Sequence, residues 1–335
     1  MQAVLIKDEK GHADSLYIGE APKPTIKAGE VLVKIKAFGL NRLDIAQREG
    51  MYPPPPDASS ILGVEFSGVV SEIGPGVTEW SVGDEVLGLT GGGAYAEYLA
   101  CSQSLLMKKP SHLSWVEAAS IPEAFLTAFQ AVVLLGNLKQ NDDILIHAGA
   151  SGVGLATVQL ARVLGARNVI ATTSTQKKID WLMGLDNGPT VVANYKTESF
   201  ASVVKEVTNN KGVNIVVDFV GKSHWNQNID SLALDGTMVV LAFLSGAIVP
   251  TVDLSLILKK RLRIQGSTLR TRTIEYQAEL ITKFRERVLN QITGANGNGT
   301  IKTFIHQVYP WTRIQDAHRE MEADKNSGKI VVEVI

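Results

Sequence analysis

The stretch "HAGASGVG", His147 to Gly154, follows the apolar run "DDILI" and leads into "LATVQLARVLGA". Its core from Gly149 to Gly154 fits the turn G-x-G-x-x-G, with Ser151 in place of the middle glycine. A strand that passes through such a turn into a helix aims backbone N–H groups at a pyrophosphate, and Ser151 adds a hydroxyl without filling that space. The following segment carries Val153, Ala156, Leu160 and Leu164 on one helical face, the context that a lone glycine motif needs. Small residues that only permit tight strand-helix packing would read alike over these positions; six alternating strand-helix units favour the cofactor reading. About 20 residues on, a protein selecting a free ribose 2'-hydroxyl places a carboxylate. Here "ATTSTQKK" offers Thr172, Thr173, Ser174, Lys177 and Lys178 instead. Hydroxyls and cations suit a 2'-phosphate, so NADPH is expected over NADH; a solvated helix start with two surface lysines is the plainer alternative.

Hydride chemistry runs with a zinc ion, with a Tyr/Lys pair, or with neither. No tyrosine of this chain is followed by a lysine four positions later, which removes the short-chain dehydrogenase pattern. The single cysteine, Cys101, rules out an internal disulfide and a cysteine-rich zinc site.

The elements that must position these residues fall into two groups. In the first third, "VLVKIKA", "EFSGVVSEIG", "GDEVLGL" and "AYAEYLA" read as strands joined by glycine and proline turns, and "YPPPPDASS" as an irregular surface loop. From about Ala118, helices alternate with the short apolar runs "ILIHA", "NVIATT", "TVVAN", "VNIVVDFV", "TMVVLAF" and "LRIQGST", which predicts a parallel sheet covered on both faces. The tail reverts to a helix, "EYQAELITKFRERVLNQI", an Asn/Gly loop and a closing strand, "GKIVVEV". With 335 residues, 45% hydrophobic and 20% charged, the chain is long enough for two domains with cores. A net charge of -1 supplies no field toward nucleic acid or an anionic membrane. "MQAVLIKDEK" lacks the apolar region of a signal peptide, and no later run suits a membrane span, so a soluble, cytoplasmic protein with a small-molecule ligand is expected.

The whole chain resembles the medium-chain dehydrogenase/reductase superfamily. "GLNRLD" and "GVEFSGVV" stand where its zinc alcohol dehydrogenases carry a ligand cysteine and a ligand histidine, and here those positions are Asn41 and Val64. The four-cysteine structural-zinc lobe is absent as well. Within the superfamily the chain is most similar to the zinc-independent quinone oxidoreductases, closest to the p53-inducible type. "LNRLDIAQREGMYPPPP", "ILGVEFSG", "GGGAYAEY", "IPEAFLTAFQ", "IHAGASGVG", "NYKTESF", "STLRTR" and "EADKNSGKIVVEV" carry the likeness, in order, from about residue 40 to the end. The resemblance implies an α/β protein with two parts: a discontinuous GroES-like β-rich catalytic domain, 1–122 and 270–335, and a Rossmann NADP(H)-binding domain with a doubly wound parallel sheet, 123–269. It also implies a cleft between the domains and a homodimer formed through the cofactor domains.

Residue by residue, the resemblance places the cofactor turn on Ser151, Gly152 and Val153, and the 2'-phosphate contacts on Ser174, Lys177 or Lys178, and Tyr195. Val220 and Gly221, then Phe243 and Leu244, resemble nicotinamide-side contacts; Thr127, Leu269, Asn326 and Lys329 resemble residues that close over nicotinamide and phosphate. Tyr195 also reads as a strand-end aromatic, and Lys329 as a surface charge before the last strand. The catalytic candidates are Asn41, Asp44 and Tyr52, with no metal. A quinone that accepts a hydride develops negative charge on oxygen, which the Asn41 amide and the Tyr52 hydroxyl are suited to stabilise. Asp44 equally suits a helix-capping role, and Arg48 and Tyr52 suit the mouth of the cleft.

Two alternatives stay open. A zinc-free NADPH-dependent enone or enoyl reductase shares the fold and the hydride donor, and a dedicated proton donor beside the substrate would favour it. An NADPH-binding protein without turnover, or an RNA-binding relative, has only "KKRLRIQGSTLRTR" in its favour, six cations in residues 259 to 272. A solvated helix end is the simpler account of that run.

Overall fold

The apolar runs of the middle third are strands of one sheet. The computed structural model describes residues 1–294 and 296–334, and the chain divides into two units, Thr127–Thr268 and Met1–Leu126 with Leu269–Ile335. In the first of these, six strands lie side by side in the order Val191–Asn194, Asn168–Thr173, Asp143–Ile146, Val213–Asp218, Leu232–Val240 and Arg263–Gly266. All neighbouring pairs are parallel. Alternation along each strand feeds two apolar layers: Ile144 and Ile146 pack with Val158, Ala161, Val169 and Val217 on one face, while Leu145 packs with Ile170, Phe200, Val204 and Val216 on the other. A strand buried on both faces must be apolar at every position, which is why these segments lack a polar/apolar beat. The strand order reverses beside Asp143–Ile146, the place where open parallel sheets take ligands.

The other unit is built on a seven-stranded sheet around the long strand Glu30–Gly39, which pairs antiparallel with Glu65–Ile73, with Tyr98–Ser102 and with the closing strand Lys329–Glu333. That last pairing sets Val331 opposite Gly39 and so returns the end of the chain to the neighbourhood of residue 41. Val33, Ile35, Phe38, Phe66, Tyr95 and Trp311 form the core of this unit. Fold class agrees with the reading of the sequence. Several elements were not visible there: the paired strands Gln2–Ile6 and Leu16–Glu20, the strand Ile305–Pro310 and the helix Ile314–Glu322. That helix buries only Ile314, Ala317, His318 and Met321, a stripe in which a histidine takes an apolar position.

Candidate active site

In the parallel-sheet unit, Ser151 is the N-cap of the helix Gly152–Val163, and its Oγ accepts the Gly154 N–H at 3.1 Å. The Gly152 and Val153 N–H groups lead this helix, and among the described residues they make no hydrogen bond. Two free amides at the positive end of a helix dipole fit an anion. Gly154 is required: a Cβ there would lie 2.2 Å from the Ala148 carbonyl oxygen. A buried hydroxyl without a partner, Thr127 Oγ1, also belongs to this unit. Ser151 thus has a second role that the motif does not state, holding the helix start while its hydroxyl hydrogen stays available.

At the end of the second strand, Ser174 and Lys178 are half-buried and Lys177 is exposed. The Thr172 hydroxyl is turned inward, 2.9 Å from His147 Nδ1. Tyr195 is 39% exposed, with its ring edge-on to His224 at 5.1 Å. His147 and His224, themselves 4.7 Å apart, are buried beside Phe200, and burial pushes both down to about 4, so both are neutral. His224 as the support of Tyr195 had no signal in the sequence beyond its residue type. Asp218, at the end of the fourth strand, accepts the Val220 N–H at 2.7 Å and the Gly221 N–H at 3.2 Å and shapes that turn. Phe243 and Leu244 lie on the surface after the fifth strand, 56% and 55% exposed.

The other unit gathers a buried polar cluster. Glu65 Oε1 accepts from Lys329 Nζ at 2.5 Å and from Asn41 Nδ2 at 2.8 Å; Asn41 Oδ1 accepts from the same Lys329 Nζ at 2.6 Å. Glu65 Oε2 accepts the Glu123 N–H at 2.9 Å. Gly39 makes room for this carboxylate, because a Cβ there would stand 2.3 Å from Glu65 Oε1. Two expectations change. The Asn41 amide is already spent on Glu65 and Gly39 O, so it is not a free oxyanion donor. Lys329 is not a surface charge; it is 6% exposed and ion-paired. Asn326 donates to Gly328 O at 2.9 Å and shapes the turn before that lysine, while Leu269 is buried.

Asp44 is also committed. The helix Arg42–Arg48 begins after Asn41, whose N–H donates to Asp44 Oδ2 at 2.8 Å, so Asp44 reaches back from inside the first turn rather than preceding the helix. Gly63 N–H and the Tyr95 hydroxyl complete its shell, each at 3.2 Å. Burial raises its pKa to about 6. Arg48 is buried rather than at a cleft mouth: it donates to Gly11 O, Glu49, Glu322 and His318 Nδ1. A guanidinium only donates, so His318 keeps its proton on Nε2, 3.3 Å from the Tyr95 hydroxyl. Tyr52 is half-buried, and its hydroxyl makes no hydrogen bond among the described residues. The Arg270 guanidinium lies 5.7 Å from its ring centre.

Comparison with known proteins bears on this pair of units directly. Residues 27–111 match the alcohol dehydrogenase GroES-like domain, and residues 152–285 match the domain described as zinc-binding dehydrogenase. Quinone oxidoreductase 1 of Escherichia coli is 33% identical over 303 residues, 89% of each chain. The chain belongs to the medium-chain dehydrogenase/reductase superfamily. A second relative, the synaptic vesicle membrane protein VAT-1 homologue of Danio rerio, is 29% identical over 92% of this chain, which spans 65% of that relative's length. The solved structure of E. coli quinone oxidoreductase complexed with NADPH superposes with a TM-score of 0.85 at 29% identity, covering 100% of both chains.

Asn41 and Val64 occupy the two positions read as zinc-ligand sites, and Val64 is 1% exposed. Among the described residues, no group of three or more His, Cys, Asp or Glu side chains is arranged to hold a metal ion. Nor is any described helix long and apolar enough to cross a membrane.

Proposed function

We propose that the protein is an NADPH-dependent, metal-free quinone oxidoreductase of the p53-inducible type. One observation carries the metal-free part: the Lys329 ammonium, held by Glu65, takes the side-chain oxygen of Asn41, one of the two positions read as zinc-ligand sites. A fixed cation repels a metal ion and uses the lone pairs that the ion would need. NADPH, when bound, supplies the hydride. Ser151 and the Gly152 and Val153 amides hold its pyrophosphate; Ser174, Lys177, Lys178 and Tyr195 hold the 2'-phosphate. Val220, Gly221, Phe243, Leu244 and Thr127 flank the nicotinamide side. Tyr52 offers its free hydroxyl to the substrate oxygen, while Asn41, Asp44 and Lys329 keep the wall beside it fixed. The NADPH complex of the E. coli relative supports this cofactor choice. Replacing Lys177 and Lys178 together by Ala is expected to raise the Kd for NADPH at least tenfold and leave that for NADH within twofold, read by nicotinamide fluorescence. Equal weakening of both cofactors would contradict the assignment.

The protein is further proposed to pair as a homodimer through the parallel-sheet unit. Its edge strand Arg263–Gly266 is exposed at every residue. Leu258, Ile248 and Leu254 of the same unit are 80%, 79% and 66% exposed. Unpaired backbone groups on such an edge are a template for the same strand of a second copy. The basic run "KKRLRIQGSTLRTR" gives little support to RNA binding, since Lys260 donates to the Ile229, Asp230 and Leu232 carbonyls and Arg261 pairs with Asp235.

A further inference from the structure

Two buried side chains of the catalytic unit keep polar atoms that the described residues around them do not use. Arg270 is 5% exposed; its Nε donates to Gly91 O at 2.8 Å and its Nη2 to Gln47 Oε1 at 2.7 Å, yet Nη1 is buried with no partner. A guanidinium fixed at two nitrogens and left open at the third is an aimed donor, and leaving a buried charged donor unpaired costs more than a hydrogen bond returns. The second group is Glu123, 8% exposed at the start of the helix Pro122–Phe129. Its N–H is tied to Glu65, but among the described residues its carboxyl accepts no hydrogen bond and joins no ion pair. The Arg270 guanidinium lies over the Tyr52 ring, and Glu123 joins the buried polar cluster of Asn41 and Lys329 through Glu65.

We propose that Arg270 Nη1 and the Glu123 carboxyl, with the Tyr52 hydroxyl, form the carbonyl end of the substrate site, Arg270 binding the substrate oxygen and Glu123 protonating it. The inference rests on the reading of the protein as a nicotinamide-dependent reductase and names its substrate class, a conjugated carbonyl compound. A hydride from the nicotinamide adds to the conjugated system, the carbonyl π pair moves onto oxygen, and that oxygen takes the proton of the Glu123 carboxyl. The product is an enol; from an enone it is released as such, and from a quinone it becomes the hydroquinone when the ring carbon that took the hydride gives up a proton and the second carbonyl oxygen takes one from water. Glu123 is left as a carboxylate facing the Lys329 and Arg270 charges, and water returns its proton. Burial first, then Glu65, raises the Glu123 pKa to about 8, with Asp44 adding to the rise and Lys329 and Arg270 opposing it. The carboxyl therefore carries its proton at neutral pH, as an acid catalyst must.

The test is steady-state NADPH oxidation with a para-quinone by the wild type, Glu123→Gln, Arg270→Met and Arg270→Lys, alongside NADPH affinity and melting temperature. Removing one oxyanion donor or one general acid costs on the order of 100-fold in kcat. Arg270→Met is expected to lose that much with NADPH affinity within twofold of wild type, and Arg270→Lys to recover part of it. Glu123→Gln is expected to lose the alkaline decline in kcat that the wild type shows near pH 8. Because a protonated Glu123 favours the folded state, the melting temperature of Glu123→Gln should gain on the wild type as pH rises from 4.5 toward 8. That shift reads the burial of Glu123 even if Arg270→Met does not fold. Wild-type kcat and pH profile in Glu123→Gln or in Arg270→Lys, with a flat melting-temperature difference, overturn the proposal. A wild type that oxidises NADPH with no quinone and no enone overturns the reductase reading itself, and this proposal with it.

Discussion

The polar groups of the catalytic unit show how little of a site is written at a single position. Asn41 was expected as a free donor and Lys329 as a contact to the cofactor. The two lie 288 positions apart, and they meet because the closing strand pairs with Glu30–Gly39. No local pattern encodes that meeting. Glu65, Glu123 and Arg270 lay inside the stretches "GVEFSG", "IPEAF" and "STLRTR", but residue type alone did not separate them from solvated charges. Removing one partner of a buried ion pair leaves the other charge uncompensated. Lys329→Met should therefore destabilise the protein by about 3 to 5 kcal/mol, measured by urea unfolding, and Glu65→Gln in the same background should return part of the loss. A change below 1 kcal/mol would mean that the pair is solvated.

Elements were more legible. The six apolar runs from "ILIHA" to "LRIQGST" all form strands; in the central ones, such as Asp143–Ile146, burial on both faces leaves a continuous apolar signature, whereas the edge strand Arg263–Gly266 is exposed. The glycine turn is a strand-to-helix junction for the same local reason. The helix Ile314–Glu322 escaped notice because His318 fills a core position that periodicity counts as polar. Behind Tyr195, His224 is neutral through burial, with a folded-state pKa below that of the unfolded chain. The sign follows: its contribution to stability is complete above about pH 6.5, the ordinary histidine value, and is lost as pH falls toward 4. His224→Phe keeps the ring against Tyr195 and Phe200 and cannot take up a proton. Its melting temperature should fall less than that of the wild type between pH 6.5 and 4, by scanning calorimetry. An equal fall in both would remove His224 from the acid response.

At the scale of the whole molecule, composition and element order predicted a chain long enough for two domains, with a parallel sheet in its middle; a catalytic unit interrupted by a nucleotide-binding one was implied by the resemblance. The reversal of strand order beside Asp143–Ile146 was expected only as part of the doubly wound sheet that the resemblance implied. Assembly was implied by resemblance, and the proposed homodimer is argued from the exposed edge strand Arg263–Gly266. Leu258→Asp with Ile264→Lys should turn a dimer into a monomer in sedimentation experiments and leave NADPH affinity within twofold; a monomeric wild type would contradict the dimer.

The most direct measurement is the rate of NADPH and NADH oxidation by chelator-treated protein with an ortho-quinone, a para-quinone and an α,β-unsaturated ketone. The account predicts quinone turnover that survives chelation and is faster with NADPH than with NADH. Activity abolished by the chelator and restored by zinc would contradict it.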